Sequence, residues 1–111
     1  MNKYIEANSL DEMNTSSGLA FLLFSTPNCG VCDALKLKLP RWSKAQGYNA
    51  RFLWLDLSRF PEACSLFQVL SVPTLIVKLD RQELSRQVRH INLHLLQEQV
   101  SRSIAIWSQA D

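Results

Sequence analysis

The apolar run Leu19-Ala20-Phe21-Leu22-Leu23-Phe24 breaks into Ser25-Thr26-Pro27-Asn28-Cys29-Gly30-Val31-Cys32, and the architecture is read most directly from this junction. Six consecutive apolar residues make a run of strand length, the mark of a strand buried on both faces. Ser25 to Gly30 reads as a turn. From Val31 the period becomes helical, with Val31, Leu35, Leu39 and Trp42 on one face. Pro40 falls inside this helix and is expected to kink or split it, because it removes an interior donor and clashes with the preceding turn. Gly47 is the expected C-terminal cap.

Upstream, Ser9-Leu10-Asp11-Glu12 has the form of a capping box, in which hydroxyl and carboxylate satisfy each other's backbone donors. A short helix from about Leu10 to Ser16 follows, after a brief strand at Lys3–Glu6, and Gly18 ends it. Downstream, Phe52-Leu53-Trp54-Leu55 is a second buried strand, closed by Asp56 and Ser58. Pro61 suits the first turn of a helix through Glu62, Ala63, Cys64 and Leu66. Thr74 to Leu79 is a third strand, Asp80–Gln82 a turn, and Leu84 to Val88 its hairpin partner. Asn92 caps a last amphipathic helix that uses Leu93, Leu96, Val100 and Ile104. Strands joined through helices imply an α/β domain, a parallel sheet covered on both faces with an antiparallel edge.

Composition narrows the function classes. The chain has 111 residues, about one domain, and no linker or repeat divides it, so residues 1–111 are expected to form a single unit. Twelve Lys and Arg against ten Asp and Glu give +2, spread without a basic block. That balance argues against nucleic acid or an anionic membrane as partner. The longest apolar stretch is Leu19 to Phe24, far short of the roughly 20 residues a membrane span needs. Glu6, Asp11 and Glu12 stand ahead of it where a secretory signal would be basic. The chain is therefore expected in the cytoplasm, and an odd count of three cysteines fits reduced thiols rather than a disulfide framework.

Cys29 and Cys32 carry the chemistry. Between a buried strand and an amphipathic helix, Cys29 falls at the helix N-terminus and Cys32 one turn further in. Free backbone donors and the helix dipole there favour an anion, so the Cys29 thiolate is stabilised. Cys29 then attacks a disulfide, and Cys32 resolves the mixed disulfide from within the same turn. Asn28, Gly30 and Val31 border the exposed sulfur, and Gly30 lets a partner backbone come close. His90 and His94 supply an H-x3-H that could pair with the C-x-x-C around zinc. Their distance from the C-x-x-C is no finger spacing, however, and His94 points outward on its helix. A cluster shared between two chains is the other metal reading, and neither metal nor cofactor is expected. Cys64 reads as a small core residue. Trp42, Trp54 and Trp107 read as packing residues, Asp56 as a turn carboxylate, with a place near the dithiol face as its alternative.

Cys29-Gly30-Val31-Cys32 after a buried strand, with Ser71-Val72-Pro73-Thr74 about forty residues on, resembles the thioredoxin family. Pro61 to Val69 is similar to the helix leading to that family's proline loop, Leu53 to Asp56 to its second core strand, and Asn92 to Leu96 to the start of its last helix. The resemblance implies the thioredoxin fold, a central mixed sheet of four to five strands flanked by helices on both faces. It implies a thiol–disulfide oxidoreductase acting on protein disulfides, fed by a reductase or another dithiol, and a monomer. It also implies that Pro73 is cis and lies against the dithiol, and that Val72 offers its backbone to an extended substrate.

Departures from the family pattern are concentrated at the site. Asn28 replaces a tryptophan and Val31 a proline. Leu23 stands in place of a buried acid, Phe52 of its lysine partner, and Arg89 of a glycine bordering the substrate groove. These changes keep a second reading open: a binding module whose groove at Val72 and Pro73 holds a partner while the dithiol senses redox state.

Overall fold

A computed structural model describes residues 3–108, the side chains of 107 and 108 excepted, so Trp107's packing lies outside the described residues. Elements follow in the order β1 (Ile5–Glu6), α1 (Leu10–Met13), β2 (Leu19–Ser25), α2 (Gly30–Ala45), β3 (Ala50–Asp56), α3 (Ala63–Leu66), β4 (Thr74–Leu79), β5 (Gln82–Val88) and α4 (Leu93–Ser108). The strands form one five-stranded sheet in the order β1-β3-β2-β4-β5. β2 is buried along its whole length. Its side chains alternate between two cores, as strand geometry demands. Leu19, Phe21 and Leu23 join Leu35 and Leu39 of α2 and Leu96 and Val100 of α4. Ala20, Leu22 and Phe24 join Met13 of α1 and Ala63 of α3 on the other face.

Three features differ from the sequence reading. β2 pairs with β3 in parallel but with β4 antiparallel, so antiparallel pairing reaches the middle of the sheet and is not confined to its edge. The chain between β3 and β4, residues 57–73 with the four-residue α3, re-enters the sheet at the end where β3 left it. α2 also runs through Pro40 without splitting. Leu39 and Pro40 are both buried, so packing offsets the lost backbone bond. α1 stops at Met13 rather than Ser16, with Asn14 as its cap.

Smaller corrections are local. Ser9 Oγ accepts from the Glu12 N–H at 3.3 Å, but the Glu12 carboxylate accepts from the N–H of Asn8 at 3.0 Å instead of that of Ser9. β1 is only two residues, β3 and β5 begin two residues earlier than their apolar patterns suggested, and the hairpin turn is Asp80–Arg81. Gly47, at φ +81°, ends α2 where expected. Its N–H donates to the Lys44 carbonyl and that of Tyr48 to the Ser43 carbonyl, both at 3.0 Å, a Schellman closure.

α4 is tied to the sheet at its start. The Asn92 side chain accepts from the Leu95 N–H at 3.0 Å, and the Gln87 amide both donates to the Asn92 carbonyl and accepts from its N–H. Burial pushes the Tyr4 hydroxyl well above its ordinary value, and its ring packs edge-on to Phe52 at 5.3 Å. Among the described residues, no helix is long and apolar enough to cross a membrane.

Candidate functional site

Register brings the chemistry to one end of the sheet. Ser25 at the end of β2 faces Asp56 at the end of β3, while Phe24 faces Thr74 at the start of β4 and Thr74 faces Val88 at the end of β5. The loops carrying Asn28–Cys32, Ser71–Pro73 and Arg89–His90 therefore leave the sheet at the same end. Asn28 turns the chain at φ 66°, in the left-handed region that asparagine tolerates better than most residues. Cys29 is the N-cap of α2. Its sulfur accepts the Cys32 N–H at 3.3 Å, so a backbone donor at the positive end of the helix dipole points at Sγ.

Cys29 and Cys32 are joined as a disulfide, with their Cα atoms 5.2 Å apart. Cys29 is half-buried and Cys32 is 1% exposed, so a partner disulfide meets Cys29 first. Gly30 and Val31 lie open beside them, Val31 at 56% exposure. A Cβ on Gly30 would meet nothing within 4 Å. Any demand for glycine at that position therefore comes from a docked chain and not from this one.

The loop before β4 is held from both sides. Thr74 Oγ1 donates to the Ser71 carbonyl at 2.7 Å, and the Arg89 N–H donates to the Pro73 carbonyl at 2.7 Å. The Val72–Pro73 bond is cis, and Pro73 is buried. Among the described residues, neither the N–H nor the C=O of Val72 has a partner within the chain. A half-buried residue with both backbone groups free is an edge to which an extended peptide can add. Arg89, whose N–H closes this loop, adopts φ 68°, and its side chain is exposed.

Beneath the dithiol the sheet is apolar on the α2 face. Leu23 is fully buried and Phe52 nearly so. Asp56 is buried too, and its Oδ1 accepts from the N–H and hydroxyl of Ser58 at 2.9 and 2.6 Å, the work of a turn carboxylate. Burial raises a thiol's pKa by disfavouring its charged form, so resolution by Cys32 is the expected slow step near neutral pH. Turnover should rise steeply from neutral into alkaline pH. Leu23→Asp should lift the neutral rate, at about 2 kcal/mol or more in stability for burying an unpaired carboxyl. A flat pH–rate profile in both wild type and Asp56→Asn would contradict this.

Sequence reading missed Lys36 and left Trp54 in the core. Lys36 Nζ lies 3.4 Å above the Trp54 ring and 3.6 Å from Asp33 Oδ1. The spacing of Cys32 and Lys36, four residues apart on a helix, was the available signal. Cys64 packs half-buried against the second core, and Trp42 against Phe21 and Tyr48. His94 pairs with Glu98 at 3.2 Å on its own helix. Among the described residues, no three His, Cys, Asp or Glu side chains cluster as metal ligands do. Elemental analysis of reduced protein should find no stoichiometric metal; about one zinc or iron per chain, lost in Cys29→Ser, would contradict this.

Comparison with known proteins agrees with the geometry. The family model described as Thioredoxin matches residues 3–102. A thioredoxin of Listeria monocytogenes serovar 1/2a is 32% identical over 69 residues, 62% of this chain and 67% of that protein. A Bacillus subtilis thioredoxin is 27% identical over 90 residues, 81% of this chain and 86% of that one. Among solved structures, oxidised mitochondrial thioredoxin 3 of Saccharomyces cerevisiae superposes with a TM-score of 0.71 at 19% identity, covering 89% of this chain and 94% of its own. That last likeness concerns the fold alone.

Proposed function

The chain belongs to the thioredoxin family of thiol–disulfide oxidoreductases, and from that premise we propose that it reduces disulfides in proteins, with Cys29 attacking and Cys32 resolving. The observation that carries the assignment is the Cys29 sulfur at the α2 N-cap, accepting the Cys32 N–H while Cys32 lies buried behind it. In the first half-reaction the Cys29 thiolate attacks one sulfur of the substrate disulfide. The substrate S–S bond breaks, its second sulfur leaves as thiolate, and a mixed disulfide remains. Cys32 then loses its proton and attacks Cys29 Sγ, releasing the first substrate sulfur. The substrate gains two electrons and two protons, and the Cys29–Cys32 disulfide forms. A reductase or another dithiol returns the two electrons.

Asn28, Gly30, Val31, Val72, Pro73 and Arg89 are the residues we assign to the substrate. Val72 supplies free backbone groups, Val31 and Gly30 an open margin, and Arg89 a cation beside the loop. The odd cysteine count supports a cytoplasmic protein, where thiols are kept reduced. A second reading, a partner-binding module with a slow redox sensor, is favoured by one observation: Leu23 and Phe52 bury apolar side chains under the dithiol. Reduction of a disulfide-bonded protein, driven first by a small dithiol and then by thioredoxin reductase, separates the two. Repeated turnover by catalytic amounts of wild type supports the oxidoreductase. Oxidation of the protein once, with no further turnover from either donor, supports the sensor.

A further inference from the structure

Thiolate formation at Cys32 needs a compensating charge, because the side chain is 1% exposed above an apolar face. We propose that Lys36 is that charge, a positioning residue that holds a cation under the dithiol and favours the Cys32 thiolate. The inference rests on the oxidoreductase reading but concerns one proton equilibrium within it. Helix phase, side-chain lean and one ion pair argue for that position. Cys32 and Lys36 are four residues apart on α2, so they lie one above the other on the same helix face. Helical side chains lean toward the N-terminus, so the Lys36 stem runs back toward the turn that carries the dithiol. Its Nζ fixes the direction, lying 3.6 Å from Asp33 Oδ1 in the first turn.

The ammonium is not free to swing into solvent. It sits 3.4 Å over the face of Trp54, whose Cα partner across the sheet is Leu23, and only 21% of the side chain is exposed. A cation held against an aromatic face and partly desolvated is worth more than one in water. Groups of opposite effect are limited. On α2 itself, Asp33 faces Lys36 but is 75% exposed, which leaves it well screened. On β3, Asp56 is engaged by Ser58. β2 contributes Leu23 and Ser25, and the start of β4 contributes Thr74; none of these is charged. On β1, Glu6 is the Cα partner of Trp54 and is ion-paired with Arg59 at 2.7 Å; Cys29, at the N-cap, is the remaining titratable neighbour.

The test is a pH titration of the Cys32 Cβ resonance by NMR in the reduced full chain carrying Cys29→Ser, which removes coupling to the first thiol. Lys36→Gln should move the Cys32 midpoint upward by about one pH unit, the size expected when an opposite charge nearby is lost. Lys36→Arg should leave it near the parent value, since the charge stays. An unchanged midpoint in Lys36→Gln would overturn the proposal. An equal upward shift in Lys36→Arg would also overturn it, by showing that packing and not charge sets the equilibrium. Because Cys29 is absent, the titration stands apart from turnover, so a protein inactive on disulfides can still pass or fail it.

Discussion

Replacing Cys29 with serine is expected to cut turnover of a protein disulfide by at least about three orders of magnitude, since a hydroxyl at that place cannot attack sulfur usefully near neutral pH. The loss should be in the rate, with no change in folding, because Cys29 is an N-cap and serine caps a helix well. Cys64→Ala is the matching control: that thiol packs against the second core, on the sheet face opposite α2, and its loss should leave turnover unchanged. Steady-state rates with a dithiol donor give the comparison. Residual activity within tenfold of wild type in Cys29→Ser would move the attacking thiol elsewhere.

Phe21→Ala is expected to have the largest effect on stability, about 3–5 kcal/mol from lost transfer free energy and the cavity left behind. The ring is fully buried at the centre of the α2/α4 core, stacked on Phe52 at 5.2 Å and edge-on to Trp42 at 6.3 Å. Aromatic pairs of this kind add about 0.5–1.5 kcal/mol beyond the area they bury. Domains of this size hold roughly 5–15 kcal/mol in total, so about a fifth of the margin or more is at stake. Urea unfolding should show a lower midpoint with an unchanged slope. A loss under about 1 kcal/mol would mean that the core refills around the gap.

Periodicity made the central strands legible. Leu19–Phe24 and Thr74–Leu79 appear within a residue of where their apolar runs place them, because burial on both faces leaves an unbroken signal. Caps at Ser9, Gly47 and Asn92 were equally readable, since each rests on one side chain or one left-handed residue. Strand direction was not. Nothing in the apolar pattern of Thr74–Leu79 says which way it runs; that is set by the end of the sheet at which the chain re-enters it. That Pro40 leaves α2 unsplit has a related reason, since its local cost is visible in the sequence and the burial that offsets it is not.

At the site, the cysteine pair and its place on the helix could be read from spacing alone. The free backbone of Val72 and the bond from Arg89 to Pro73 needed the pairing of β4 with β5. Lys36 needed more still. Its helix phase relative to Cys32 is in the sequence, but the indole that fixes its ammonium comes from β3, and only the register of the sheet puts Trp54 there.

Trapping the mixed disulfide tests the division of labour between the two thiols most directly. Cys32→Ser and Cys29→Ser, each fully reduced, are incubated with a small disulfide-bonded protein, and the products are resolved by intact mass without reductant. Cys32→Ser should accumulate a one-to-one covalent complex joined through Cys29, and Cys29→Ser should accumulate none. Equal trapping by both variants, or a complex joined through Cys64, would contradict the assignment of Cys29 as the attacking thiol.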